Sequence, residues 1–425
     1  MRVPQEICVS VPGSKSITNR ALLIAALADG TTTLHNVLFS DDSRHFIQAL
    51  QTLGFDIQVS ESMKTVIVHG LGGVIPDAAS DGERVIQVGS AGTCARFLTA
   101  LLGLTRGRFH LDSSEQMKKR PMKELLIALE NLGANISYQE ERYHFPFVIG
   151  NEGSIPSEVT VDIDVSSQFL SALLIASVGL SRDLTIHVTG NHGFDYVEMT
   201  LSMMEQFGCP VRRLDERTFL VPKELSYQAR DYEIEPDLSG ACYFYGMGAL
   251  LRVPTVVRGV KGNSLQGDKK FLNVLQQMGC TFGENEKGEK VLQKAPAALS
   301  GGCFDLSSFS DQALTLSVVA MFAKEPVTIT GIGHIRFQEC DRMEAIRRNV
   351  EALGGSVTVT EDSVTIEPGH DYQGTEIKTY EDHRVAMSFS LAALLIDNTV
   401  IENPMCCRKT FENFFDIYHE LFGLE

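Results

Sequence analysis

Residues 16–29 read SITNRALLIAALAD, a polar first turn carrying an arginine and then a run in which almost every residue is apolar. The same pattern returns five times. GTCARFLTALLGLT begins at Gly92, SSQFLSALLIASVG at Ser166, LSGACYFYGMGALL at Leu238, SDQALTLSVVAMFA at Ser310 and DHRVAMSFSLAALL at Asp382, so successive starts lie 76, 74, 72, 72 and 72 residues apart. A helix that is apolar around most of its circumference belongs in a core, and six such helices in phase predict a repeated structural unit. Behind each comes a β-rich stretch (TTTLHNV, RFHLDS, LTIHVTG, PTVVRGV, VTITGIG, TVIENP) and then a more amphipathic helix. That second helix ends in an apolar residue and a glycine, at Gly54, Gly133, Gly208, Gly279, Gly354 and Gly423, where glycine suits a left-handed C-terminal cap. Alternating strand-like segments follow most of these, for example SVTVTEDSVTIEP from Ser356. The unit reads β-α-β-α-β-β. Solenoid periods run about 20–50 residues, so six longer units predict instead two α/β domains of three, each a ring of sheets around buried helices.

The 425 residues suffice for two such domains. A net charge of −17 argues against nucleic acid or an anionic membrane as partner. Nine cysteines form no C-x-x-C pair, which points to free thiols in a reducing compartment. The histidines show no ligand spacing, so no metal site is expected, and nothing in the sequence implies an organic cofactor. The opening MRVPQEICVSVPGSK has no apolar run of signal-peptide length, and a cytoplasmic location and a monomer are expected.

The chemistry gathers at the N-terminal ends of the buried helices: Lys15, Ser16 and Arg20; Gly92, Thr93 and Arg96; Ser166, Ser167 and Gln168; Asp311 and Gln312; Asp382, His383 and Arg384. A helix N-terminus offers unpaired N–H groups and about half a positive charge, and is a ready anion site. Any one of these residues alone reads as a helix cap. Repetition in phase, with arginines on helices that should be buried, points to a cationic pocket for a polyanion, since a buried guanidinium needs a carboxylate, phosphate or ion-pair partner. Of Lys118, Lys119 and Arg120, two should face solvent.

VPGSKSITNRALL, GSAGTCARFLTALL, QMKKRP, SSQFLSALL, ECDRM, TYEDHRVAMSFSLAAL and CRKTF occur in this order over essentially the whole chain. Together they resemble the signatures of the 5-enolpyruvylshikimate-3-phosphate synthases. The resemblance implies a two-domain inside-out α/β barrel, with residues 1–18 and 238–425 in one domain, 19–237 in the other and the active site in the cleft between them. It implies transfer of the enolpyruvyl group of phosphoenolpyruvate to the 5-hydroxyl of shikimate 3-phosphate, with release of phosphate, on the route to chorismate and the aromatic amino acids. By the same resemblance, phosphoenolpyruvate is held by Lys15, Gly92, Arg120, Gln168, Arg342, Arg384 and Lys409. Shikimate 3-phosphate is held by Lys15, Ser16, Arg20, Ser166, Ser167, Gln168, Asp311 and Gln338, with Tyr196 nearby. Asp311 accepts the hydroxyl proton, and Glu339 and Lys15 are candidates to protonate the methylene carbon.

The chain departs from the family pattern on the acceptor side. Gln338 stands for a lysine, Gly193 for a serine and His334 for an asparagine, while Ser90 and Phe97 replace the usual asparagine and proline near Gly92. These departures leave open an acceptor other than shikimate 3-phosphate, such as a nucleotide. The related UDP-N-acetylglucosamine enolpyruvyl transferases commonly carry a loop cysteine that SSEQMKKRP, from Ser113, lacks. A silent ligand-binding relative would need the arginines but not Lys15, Asp311, Glu339 and Lys409 together.

Overall fold

In a computed structural model, residues 2–76 and 84–424 are described. The inner helices form at Lys15–Leu27, Gly92–Leu104, Gln168–Ala176, Leu238–Leu251, Ala313–Met321 and His383–Ala393. Every residue of Gly92–Leu104 and of Ala313–Met321 is buried, as their all-round apolar surface requires. The amphipathic helices lie at Asp41–Thr52, Lys123–Asn131, Phe194–Gln206, Lys270–Gln277, Arg342–Ala352 and Phe414–Phe422. The glycine that closes each has φ between 59° and 104°. The next amide reaches back into the last turn, Phe55 to the Leu50 carbonyl at 3.1 Å and Cys280 to Leu275 at 2.9 Å, which satisfies carbonyls the helix leaves open.

The sheets repeat one pattern. Val85–Gln87 runs parallel to Phe109–Asp112, Phe109–Asp112 antiparallel to Phe147–Asn151, and Ala134–Tyr138 takes the far edge. The sheets built on Glu158–Asp162 with Leu184–Thr189 and on Gly302–Asp305 with Val327–Thr330 have the same order. In each, the inner helix is the crossover between the two parallel strands. The sixth copy shows the parallel pair alone, Glu376–Ile377 with Val400–Ile401.

In the first and fourth copies the leading strands are exchanged. Ile7–Val9 precedes the first inner helix but pairs with Thr255–Lys261, the strand after the fourth; Asp231–Glu233 precedes the fourth but pairs with Asp29–His35, the strand after the first. Each compact unit is thereby completed by a segment from across the chain. One unit comprises Met1–Ser14 and Glu235–Glu425, the other Lys15–Ile234. The divisions fall after Ser14 and Ile234 rather than after residues 18 and 237, so the whole of the helix Lys15–Leu27 lies in the second unit and Leu238–Leu251 in the first. Lys15 and Ser16 therefore belong with the unit that holds Arg20.

Within the first unit, the helices Leu238–Leu251, Ala313–Met321 and His383–Ala393 pack on one another. In the second, Gly92–Leu104 packs on both Lys15–Leu27 and Gln168–Ala176. All nine cysteines are free. Among the described residues, no helix is long and apolar enough to cross a membrane. Helix and sheet approach closely where Gly248 meets Thr255: a Cβ built on Gly248 would lie 1.9 Å from the Thr255 Oγ1. Gly248→Ala should lower the stability of this unit by about 1–3 kcal/mol, the usual range for an overpacked core, read as a fall in the urea midpoint.

Candidate active site

In the unit Lys15–Ile234, the first turns of three inner helices carry the polar groups. Arg20 is buried, and its hydrogen bonds run to neutral oxygens: Nε to Thr200 Oγ1 at 2.8 Å, Nη1 to the Ser16 carbonyl at 3.1 Å, Nη2 to the Tyr196 carbonyl at 3.2 Å and to Ser171 Oγ at 3.4 Å. Its guanidinium also sits over the Phe97 ring. Burial lowers its pKa to about 10, which still leaves it charged at neutral pH. A buried cation held by neutral dipoles is favourable ground for an anion. Lys15 pairs with the buried Asp42 at 3.5 Å.

Arg120 is buried, whereas Lys119 is exposed and Lys118 turns outward to Glu115 and Glu140, so the basic run divides as expected. The Arg120 guanidinium lies against the start of Gly92–Leu104: a Cβ on Gly92 would stand 2.8–3.0 Å from its terminal atoms. That helix has no side-chain cap at Ala91, so its first N–H groups and Arg120 converge on one place. Arg96 donates to Gln168 Oε1 at 2.8 Å and to the Pro121 carbonyl at 3.1 Å, fixing the side chain of Gln168 at the head of its helix. Ser166 and Ser167 are buried beside it, and Ser166 Oγ accepts from the Gln168 amide at 3.4 Å.

In the other unit, Arg342 is the centre. It is 1% exposed. Nε and Nη2 bind the two oxygens of Asp382 at 2.8 and 3.3 Å, Nη2 binds Glu339 at 2.9 Å, and Nη1 binds Asp311 at 3.0 Å and the amide oxygen of Gln338. Burial alone would depress its pKa, but Asp382, Glu339 and Asp311 outweigh burial and hold it above the ordinary arginine value. Asp311 occupies the 3-10 turn Ser310–Gln312 and does not cap the helix behind it. Its second oxygen takes Arg384 Nη2 at 2.8 Å. Lys409 approaches Glu339 at 3.5 Å. Asp382 caps its helix by accepting from the Arg384 amide at 2.8 Å, while the buried His383 ring stands 3.8 Å from it, beyond hydrogen-bond range. His334 binds Ser310 Oγ at 2.7 Å.

Asp268 and Ser239 belong to this cluster and were not anticipated. The buried Asp268 carboxylate accepts from Ser239 Oγ at 2.9 Å and Gln312 Nε2 at 2.6 Å, and Ser239 Oγ also receives Arg384 Nη2 at 3.5 Å. Burial pushes the Asp268 carboxyl above its usual range, the charge of Asp311 adds to this, and Arg384 opposes it. Asp268 lies in SLQGDKK, outside the repeating helix starts, and an acidic residue in a short turn carries no distinguishing signal.

The sequence matches the EPSP synthase (3-phosphoshikimate 1-carboxyvinyltransferase) family over residues 2–418. It is 38% identical over 421 residues to the 3-phosphoshikimate 1-carboxyvinyltransferase of Trichormus variabilis, covering 99% of this chain and 97% of the relative. The Haemophilus ducreyi enzyme of the same name is 38% identical over 420 residues, covering 97% of this chain and 95% of the relative. Among solved structures, EPSP synthase from Acinetobacter baumannii superposes with a TM-score of 0.82 at 24% identity, covering 100% of this chain and 98% of that one. The enolpyruvyl transferase NikO from Streptomyces tendae superposes with a TM-score of 0.75 at 16% identity, covering 100% and 96%. These two likenesses show a shared fold.

Removing one partner from a buried ion pair leaves the other charge uncompensated, at a cost of about 3–5 kcal/mol. Asp382 is fully buried and binds Arg342 with both oxygens. Asp382→Ala should therefore lower stability by about that amount, measured by urea unfolding at neutral pH. Asp382→Asn, which keeps the cap and one acceptor, should lose less.

Proposed function

We infer the reaction from the premise that this chain belongs to the EPSP synthase (3-phosphoshikimate 1-carboxyvinyltransferase) family, which it matches over nearly its whole length. It is a transferase that moves the enolpyruvyl group of phosphoenolpyruvate to the 5-hydroxyl of shikimate 3-phosphate, releasing phosphate. The assignment of residues to steps is our own reading, and the observation that most supports it is Asp311 held by Arg342 at 3.0 Å and Arg384 at 2.8 Å. A carboxylate fixed from two sides is oriented to take a proton from a hydroxyl brought to it.

Phosphoenolpyruvate is bound by Lys15, Gly92, Arg120, Gln168, Arg342, Arg384 and Lys409. The acceptor is bound by Lys15, Ser16, Arg20, Ser166, Ser167, Gln168 and Asp311, with Tyr196 beside them. The 5-hydroxyl oxygen bonds to C2 of phosphoenolpyruvate as Asp311 takes its proton, and C3 gains a proton from the Lys15 ammonium or from Glu339 in its protonated form. The product of this addition is a tetrahedral ketal. The C2–O bond to phosphate then breaks, C3 loses a proton, and the enol ether is left. Guanidinium groups fixed beforehand stabilise the charge that develops on carboxylate and departing phosphate. Arg96 acts through Gln168, holding its amide in place.

The direct test is phosphate release from phosphoenolpyruvate and shikimate 3-phosphate, with mass spectrometry of the product. An enolpyruvyl shikimate phosphate is expected. Phosphoenolpyruvate binding without turnover would instead mean another acceptor. Asp311→Ala should cut turnover by at least about 10²-fold while leaving phosphoenolpyruvate binding measurable; equal turnover would remove Asp311 from the mechanism. Arg120→Ala should weaken phosphoenolpyruvate by about 2–5 kcal/mol, the loss expected for one side of a buried charge pair, measured by titration calorimetry. Unchanged affinity would show that the donor is bound elsewhere.

A further inference from the structure

A guanidinium has five N–H donors, and in Arg342 all five are engaged within the protein. Three carboxylates, Asp382, Glu339 and Asp311, take four of them. The amide oxygen of Gln338 takes the fifth, on Nη1. An arginine enclosed in this way has no donor left for an incoming anion, so one partner must give way. The carboxylates are charged partners of a buried cation, and their loss is costly. Gln338 is neutral and only partly buried, and it ends the short 3-10 segment Gly333–Phe337. It is the partner most cheaply displaced, since a neutral acceptor yields to a carboxylate at a cationic donor.

The residue type matters here. A lysine, the usual residue at this position, carries donors and no acceptor, and would repel Arg342 rather than bind it. Glutamine thus replaces an additional cation with a group that competes for Arg342. We propose that Gln338 is a positioning residue of the donor site. Its amide oxygen occupies Nη1 of Arg342 until the carboxylate of phosphoenolpyruvate displaces it, so it sets donor affinity and does not serve as an acceptor contact. This rests on the reading that Arg342 binds phosphoenolpyruvate.

The test compares wild type with Gln338→Ala and Gln338→Glu, by titration with phosphoenolpyruvate and by KM for each substrate. Alanine frees the donor and should tighten phosphoenolpyruvate about tenfold, the scale of one hydrogen bond to a charged group. Glutamate binds Arg342 more strongly than glutamine does and should weaken phosphoenolpyruvate by about tenfold or more. General damage to the fold would not move the two variants in opposite directions. If both weaken phosphoenolpyruvate, or if alanine changes the acceptor KM alone, Gln338 is a substrate contact and the proposal is wrong. The two readings separate cleanly. Wild type that binds phosphoenolpyruvate without turning over shikimate 3-phosphate would overturn the acceptor assignment, while the titration still decides the role of Gln338. Full phosphoenolpyruvate affinity in Arg342→Ala would overturn both the donor role of Arg342 and the proposal built on it.

Discussion

Three short parallel rungs, Ile7 with Thr255, Cys8 with Val256 and Val9 with Val257, tie the start of the chain to a strand on the far side of its midpoint. Asp231–Glu233 makes the reciprocal pairing with Asp29–His35. Parallel strands cannot be joined by a tight turn and need a long crossover. In most copies the inner helix supplies that crossover, and in these two the leading strands have changed places. Each unit can then complete its third sheet only if the chain passes out of the first unit at Ser14 and returns at Glu235. The pairing also decides which chemistry each unit holds. Lys15, Ser16 and Arg20 join Arg120 and Gln168, while Asp311, Arg342, Arg384 and Lys409 remain together.

The two units solve the problem of buried cations in opposite ways. Arg20 is surrounded by the neutral oxygens of Thr200, Ser16, Tyr196 and Ser171, and the cost of burial shows as a lowered pKa. Arg342 is surrounded by carboxylates, and its pKa is raised despite burial. The first arrangement leaves positive charge for a ligand to neutralise, and the second has already neutralised it. An anion brought to Arg342 would have to exchange for an existing partner, whereas one brought to Arg20 would add to what is there. Arg20 lies on an inner helix and Arg342 opens an amphipathic one, so the two kinds of helix hold their arginines in different charge surroundings.

The repeat was legible because each element carries its own local signal. Apolar helices at spacings of 72–76 residues and glycine caps at Gly54 through Gly423 are properties of neighbouring residues, and the structure has both. The strand exchange was foreshadowed only by the resemblance, which groups residues 1–18 with 238–425; Ile7–Val9 is three residues long, and nothing in ICV itself specifies which parallel neighbour it takes. Helix starts drew attention to Arg384 and Asp311, but not to Asp268, which reaches Ser239 and Gln312 from a turn with no place in the repeat. Asp382 was read as marking a helix start. It does cap that helix, yet it also carries two of the five bonds to Arg342, and a dual role of this kind follows from packing that no spacing encodes.

The departures on the acceptor side look different once backbone geometry is considered. Gly193, which stands where a serine is usual, has φ of 67°, and a Cβ there would lie 2.6 Å from Ser167 Oγ. A serine would have to hold a left-handed conformation that non-glycine residues seldom adopt, and would also push Ser167 aside. Glycine is thus more than the loss of a hydroxyl: it lets the helix Phe194–Gln206 begin at this angle while Ser167 stays where it is. Gln338 differs in kind: it places an amide oxygen, an acceptor, against Arg342, where a lysine would bring a second cation. Both substitutions are matched to their immediate neighbours. The residue at each of the two positions answers to the atoms packed against it, Ser167 in one case and Arg342 in the other.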